Sequence, residues 1–479
     1  MSALALWILG VLIVRALAGP RALGAASCLG LGALLGPGCA SLVLVVLLQL
    51  SAPGALLGVL WVLAALASLL AWRRRPRAET FTPVAPAAGS RAWLLLPALA
   101  LASALVITSD HRREVPDGTF DALAIWNLHA RALARAEQSP TELLHAMRQI
   151  QHPDYPLFLP GAVAAQWRVL GHEAPEIARD TAMLFLLALA LLSWAAARRW
   201  LPRAPSALLC TLTLLVPLMA DKAQGQKADV LMAATFLAAA DALVSRAHPR
   251  RNARVPAVLA GVLLALLPWA KNEGLVLLGA LLVAQAVVRP VRDARSSANT
   301  HVGVHEAPRS AAHWWRAAAL AALPVLAVVV LHARLWAPAD PLVTGLGERM
   351  GRQLSDPDRW RAVFDAFVAR LSPTESFLNW GSVGTACLIA VLCGVFACRA
   401  RLARVPRMLG LALLLQLCAL VGIYLLTNYP KGVGAHLHTS LDRLLLQLLP
   451  VALLFTGLLL RRPHALDAPV HEPSSTLPR

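Results

Sequence analysis

Long apolar stretches and short polar interruptions alternate along the whole chain, and their lengths predict helices rather than strands. Runs at 4–19, 27–49, 54–72 and 92–108 are followed by others at 180–198, 204–220, 229–244, 255–270, 274–289, 316–334, 378–398, 408–427 and 442–460. Most approach the roughly 20 residues that an α-helix needs to cross a hydrocarbon core. Hydrocarbon offers no partner to an open backbone N–H or C=O, so the expected fold is all-α, a polytopic bundle of about thirteen transmembrane helices.

The interruptions divide the chain. Residues 1–77 read as three accessory N-terminal spans, 78–91 as a Pro/Ala-rich linker, and 92–290 as the principal membrane module. A cytoplasmic connection at 291–315, a C-terminal module at 316–462 and a tail at 463–479 complete it, with the polar stretches 293–313 and 463–479 expected to be disordered. Two polar stretches stand out, an island at 109–155 and a loop at 335–377. The run 156–170 follows the island and is expected to lie on the surface or re-enter the membrane. Within the second loop, Ser355 reads as a helix N-cap with Pro357 in the first turn. Trp360, Val363, Phe364, Phe367 and Leu371 then recur at helical spacing, which predicts an amphipathic helix on the outer leaflet.

Composition supports this picture: 58% of the 479 residues are hydrophobic and 15% charged, which excludes a water-soluble globule. The net charge of +18 resides largely in arginines of alternate short connections, around Arg73, Arg198, Arg246, Arg289, Arg399 and Arg461. Basic loops stay cytoplasmic, so the pattern places the N-terminus outside and the C-terminus inside, and it gives no reason to expect a nucleic-acid partner. The first run has no basic stretch before it and reads as an uncleaved helix. All seven cysteines fall in or at the ends of apolar runs, without the pairing of a zinc site or a disulfide framework.

The topology brings polar and ionisable residues to one face. Such groups cost about 2.5 to 3.5 kcal/mol at mid-membrane and are kept where something uses them. Asp121, Asp229, Lys227, Lys271, Glu273, His438 and Arg443 all fall at or near the outer ends of apolar runs. Carboxylates among cations suit a reaction in which one group takes a proton while others neutralise a departing anion. Plainer readings stand beside this one: Asp229 as a helix cap, Lys271 and Glu273 as a solvated turn, Arg443 reaching to headgroups, Asp117 as part of a turn, and His129 and His145 as helix-surface residues. A transporter or flippase with charges along its path is the alternative function, although no internal repeat is visible.

The order of these segments resembles the GT-C glycosyltransferases, in the branch of protein O-mannosyltransferases and the lipid A aminoarabinose transferase. An acidic motif after an outward span is matched by Asp121 in FDALAIW, followed by HPDYPLFLPG, Gly171 and Arg179. Ala228-Asp229-Val230-Leu231 stands where that branch has T-D-x-P-L, and Lys271-Asn272-Glu273-Gly274 where it has T-K-G. Arg443 and Pro450 match its late R-Y…P. The chain departs from the pattern at Ala122, which replaces a second acid, and at His152 and Asp154, which replace a lysine. The resemblance implies transfer of a sugar from a polyprenyl-phosphate donor to a lipid, glycan or protein acceptor, with inversion, on the outer face of a bacterial inner membrane. It implies Asp121 and Asp229 as catalytic residues, with Asp121 as the base that deprotonates or orients the acceptor hydroxyl, and His152, Asp154, Tyr155, Arg179, Lys227, Lys271, Glu273, His438 and Arg443 as substrate- or phosphate-binding residues. A divalent metal is compatible with the outer-face acids, but no metal ligand set is specified by their spacing.

Overall fold

The computed structural model describes residues 3–18, 23–73, 91–110, 117–136, 143, 146–245, 254–288, 306–335, 337, 345–371 and 404–460. Among them the chain is helical and no strand occurs. Six helices are long and apolar enough to cross a membrane: Ala25–Gln49, Pro53–Arg73, Pro175–Trp200, Ala312–Leu335, Arg404–Leu426 and Gly432–Leu459. Arg203–Leu215 and Pro217–Gln224 make a seventh if counted as one span, since they meet at a 55° bend. The bend lies at Val216–Pro217, where proline lacks the N–H that would continue the ladder and disfavours a helical residue before it. Other expected spans form shorter apolar helices, Ala3–Ala18, Ala92–Ala104, Ala257–Ala270 and Glu273–Val287. The expected span 378–398 lies outside the described residues.

We label the helices α1 (Ala3–Ala18), α2 (Ala25–Gln49), α3 (Leu56–Arg73), α4 (Leu95–Asp110), α5 (Asn127–Arg135), α6 (Phe158–Leu170), α7 (Pro175–Trp200), α8 (Arg203–Leu215), α9 (Pro217–Gln224) and α10 (Asp229–Val244). They continue as α11 (Arg254–Ala270), α12 (Glu273–Val287), α13 (Glu306–Leu335), α14 (Leu346–Leu354), α15 (Pro357–Leu371), α16 (Arg404–Leu426) and α17 (Gly432–Leu459).

The centre is built from α2, α7, α10, α11 and α17. Of these, α10 is buried at nearly every position on all sides. Close approach depends on small residues, as expected where apolar side chains gain nothing by leaving lipid. Gly10 of α1 lies against Gly32 and Gly36 of α2, and a Cβ on any of the three would strike the backbone of the other helix. The three expected accessory helices therefore divide: α2 is packed into the core, while α3 is largely exposed.

Four local expectations are corrected. The stretch 293–313, expected to be disordered, is helical from Glu306, where α13 begins, and 293–305 lie outside the described residues. The run 156–170 is not surface-lying; α6 is buried from Phe158 to Trp167 and packs on α2 and α5. Gln166 donates its amide nitrogen to Thr181 Oγ1 of α7 (2.8 Å), and Ser41 of α2 donates to the Leu157 carbonyl (2.6 Å), which helps a short polar-flanked helix to enter the core. The cap of α15 is Asp356, whose Oδ1 accepts the amides of Asp358 (3.0 Å) and Arg359 (3.2 Å); Ser355 instead donates to the Arg352 carbonyl at the end of α14. The polar connection between the expected runs 408–427 and 442–460 is mostly helix, because α17 starts at Gly432. Three of its polar residues, His436, Ser440 and Arg443, mark a cavity-lining helix face, not a departure from helix. Pro357 does open α15, which rests Val363 and Phe367 on the bundle and leaves Trp360 and Phe364 exposed.

Candidate active site

The polar island supplies the first carboxylate. Asn127 donates to the Asp117 carbonyl (2.9 Å) and to Gln226 Oε1 (2.8 Å), clamping the island to the turn between α9 and α10. Gly118 turns beneath this clamp at φ +81°, where a Cβ would meet Ala122 and Gln226, so only glycine fits without strain. Asp121 follows immediately before a single π turn, Ala122–Trp126, that leads into α5. Such turns re-aim side chains at functional sites. Here the result is that Asp121 faces Lys227 (3.3 Å) and Arg443 (2.6 Å).

Asp229, at the first turn of α10, is the hub. It is completely buried and makes no cap bond; its Oδ1 accepts from Lys271 Nζ (3.1 Å) and Gln447 Nε2 (3.0 Å), and its Oδ2 from Arg443 Nε (2.9 Å). Lys271, 2% exposed, also lies 3.3 Å from Glu273. Three acids, Asp121, Asp229 and Glu273, thus face three bases, Lys227, Lys271 and Arg443, in one network. Mutual compensation is what makes such burial tolerable.

One side of this network opens into a cavity of about 520 Å³. Its polar wall carries Lys271, Asn272, Glu273, Arg443, His152 and Tyr155, and α16 supplies an apolar wall of Ala419, Gly422, Ile423 and Leu426. Two flat stacks flank the polar part, His152 on Tyr155 (4.6 Å) and Tyr429 on His436 (4.8 Å, 8° between planes). His152 adopts φ +52°, a left-handed backbone uncommon outside glycine. Glu273 points one carboxylate oxygen at Lys271, while its Oε2 is buried with no hydrogen-bond partner among the described residues. Burial, with the Glu273 and Asp154 carboxylates, holds the Tyr155 phenol well above the usual tyrosine range, so it remains neutral. The Lys227 ammonium is pulled below the usual lysine range by burial, against the opposing pull of Asp121.

Comparison with protein-family models, with curated proteins and with solved structures returns no match.

Of the expected site residues, the network joins Asp121, Asp229, Lys227, Lys271, Glu273 and Arg443, and the cavity adds His152 and Tyr155. Asp154 holds the cavity floor by accepting from Asn272 (2.5 Å). Two residues lie elsewhere. Arg179 is on α7, 3.5 Å from Asp180, and does not line the cavity. His438 is exposed, and the cavity histidine is His436, because two residues turn about 200° around a helix. Asp117 pairs with Arg131 (3.0 Å) in a structural role, His129 is buried, and His145 lies outside the described residues.

Asn272, Tyr429, His436, Ser440 and Gln447 were not singled out in the sequence. A signal existed for three of them: His436, Ser440, Arg443 and Gln447 recur at intervals of four, three and four, which is one face of α17. Among the described residues no group of His, Cys, Asp or Glu is arranged to hold a metal ion.

Proposed function

We propose that this chain is an integral-membrane glycosyltransferase that moves a sugar from a polyprenyl-phosphate donor to an acceptor on the non-cytoplasmic face. The observation that carries the reading is the two-sided cavity: a wall of Lys271, Glu273 and Arg443 faces a wall of apolar α16 side chains. An anionic head joined to a hydrocarbon chain matches both walls, whereas a soluble substrate leaves the apolar wall without a role.

In this reading the donor phosphate inserts beside Lys271 and Arg443 and displaces Glu273 from Lys271. That contact is the loosest of Lys271's two carboxylate pairings, at 3.3 Å against 3.1 Å to Asp229. Glu273 Oε2 then takes the proton of the acceptor hydroxyl as its oxygen attacks the anomeric carbon. The bond from that carbon to the phosphate oxygen breaks, its electron pair stays on the lipid phosphate, and Lys271 and Arg443 stabilise the new charge. Attack opposite the leaving group inverts the centre. Asp229 serves as a positioning residue that fixes both cations, and Asp121, itself held by Lys227, tethers Arg443 from the island. The expected role of Asp121 as base passes to Glu273, because Asp121 does not line the cavity. The flat Tyr429–His436 stack offers a face for the sugar ring.

The accompanying topology is the thirteen-span arrangement in a bacterial inner membrane, with the N-terminus outside, the C-terminus inside and the cavity at the periplasmic face. Cysteine probes at Gln224 and Gly434 then react from outside and one at Pro249 only from inside; reversal at any of these overturns the orientation.

The functional test uses full-length protein in nanodiscs with undecaprenyl phosphate and its hexose and pentose conjugates. Wild type is expected to retain the phosphate lipid by native mass spectrometry and to release it from a conjugate on turnover. Arg443→Gln is expected to lose lipid retention, whereas Glu273→Gln keeps retention and loses turnover. No retention by wild type refutes the reading, and movement of intact conjugate across vesicles without turnover assigns the cavity to a flippase instead.

A further inference from the structure

The end of the bundle opposite the cavity carries a second recess, of about 510 Å³, where the start of α2 meets the end of α7. Its walls include Gly24, Ser27, Trp194, Arg198 and Arg199. Its depth relative to the active-site network follows from α10: Asp229 anchors that network, and Asp241, twelve residues or about 18 Å further along the same helix, pairs with Arg199 at the recess.

Four features of the recess converge on an oxyanion. Gly24 precedes α2 in an extended conformation with no side-chain cap, and the first bond of the helix runs from the Cys28 amide to the Gly24 carbonyl (3.0 Å). The amides of Ala25, Ala26 and Ser27 therefore have no acceptor within the helix. Ser27 is only 9% exposed, lines the recess and makes no side-chain hydrogen bond among the described residues. Arg199 is neutralised by both Asp241 oxygens (3.0 and 2.9 Å), but Arg198 has no carboxylate partner among the described residues. Its guanidinium donates to the Leu201 carbonyl (2.5 Å) and lies 5.9 Å from the centroid of the Trp194 ring. Uncapped amides at the positive end of a 25-residue helix, a buried hydroxyl and an arginine form the donor set that binds phosphate oxygens.

We infer that this recess is a phosphate-binding site occupied by the headgroup of an anionic glycerophospholipid from the leaflet opposite the active site. The recess lies where apolar helices end, and Trp194 beside Arg198 is the pairing found at membrane interfaces. A free phosphate would use the same donors, so the test separates the two sources.

Full-length protein is placed in nanodiscs of equimolar phosphatidylcholine and phosphatidylglycerol, and co-retained lipid is read by native mass spectrometry. Phosphatidylglycerol is expected to be enriched on wild type. Its occupancy should fall about tenfold in Arg198→Gln, the loss of one charge-assisted contact, and roughly threefold in Ser27→Ala. Arg198→Lys should fall between wild type and Arg198→Gln. If phosphatidylglycerol is not enriched but inorganic phosphate raises the melting temperature of wild type and not of Arg198→Gln, the site takes free phosphate and the lipid assignment is lost. Wild-type lipid occupancy in both Arg198→Gln and Ser27→Ala, or no response to either probe, overturns the proposal. Ser27→Ala carries the test alone if Arg198→Gln does not fold.

Discussion

Replacing Asp229 with Asn tests the hub most directly. The side chain keeps its size, loses its charge, and presents an NH2 to one of the donors around it, leaving the network with three bases against two acids. Removing one partner of a buried ion pair costs about 3 to 5 kcal/mol. Arg443 keeps Asp121 and Lys271 keeps Glu273, so the lower end of that range applies. With unfolding entropy near 2.1 cal/mol/K per residue, a chain of 479 residues changes its melting temperature by roughly 1 °C per kcal/mol, so a fall of about 3 °C is expected. Lys271→Met should cost less, because Asp229 retains Arg443 and Gln447, and the double variant should cost less than the sum. Thermal unfolding in nanodiscs, followed by a thiol-reactive dye that reports buried cysteines such as Cys210, reads all three. A melting temperature unchanged in Asp229→Asn, or strict additivity in the double variant, would refute the reasoning that these charges compensate one another.

Three further outcomes are expected. Burial pushes the His129 imidazole down to about 4, while its Nδ1–H donates to the Ile125 carbonyl (2.7 Å). The unfolded chain therefore takes up the proton first, and stability falls as pH drops from about 6.5 towards 4, by roughly 3 kcal/mol; melting temperatures across that range should flatten in His129→Gln, and an unchanged slope would assign the loss elsewhere. Gly32→Leu is expected to separate α1 from α2 and reduce the yield of folded protein, whereas Gly54→Ala, which meets nothing within 4 Å, should be neutral; equal behaviour in size-exclusion profiles contradicts the packing. His436→Ala should weaken retention of the sugar conjugate, and His438→Ala should leave it unchanged; the reverse order places the cavity face of α17 wrongly.

Much of this arrangement was legible because apolar periodicity and ionisable residues are strong signals in a membrane chain. The sequence placed α10 and the α11–α12 turn within a residue or two, and it brought Asp229, Lys271 and Arg443 together on one face. Polarity misleads where a polar residue sits inside a helix, because the same residue types mark loops. His436, Ser440 and Arg443 are polar because they face a cavity, and the strength of that signal hid the start of α17 at Gly432. The burial of α6 was illegible for the opposite reason: Ser41 and Thr181, which satisfy its polar groups, are distant in sequence. The second recess gave no motif, since Ser27 and Arg198 are common residues whose meeting is set by helix pairing.

The span of the ionic network has a consequence for biogenesis. Asp229 leaves the ribosome 214 residues ahead of Arg443, which at about 5 to 20 residues per second is roughly 10 to 40 seconds. Throughout that interval the nascent chain holds an acid at the translocon exit whose arginine partner has not been synthesised. Arrival of the last helix is thus expected to act as a checkpoint: a chain ending before Gly432 should be cleared by membrane proteases, and a pulse-chase comparison with the full-length chain would reveal it.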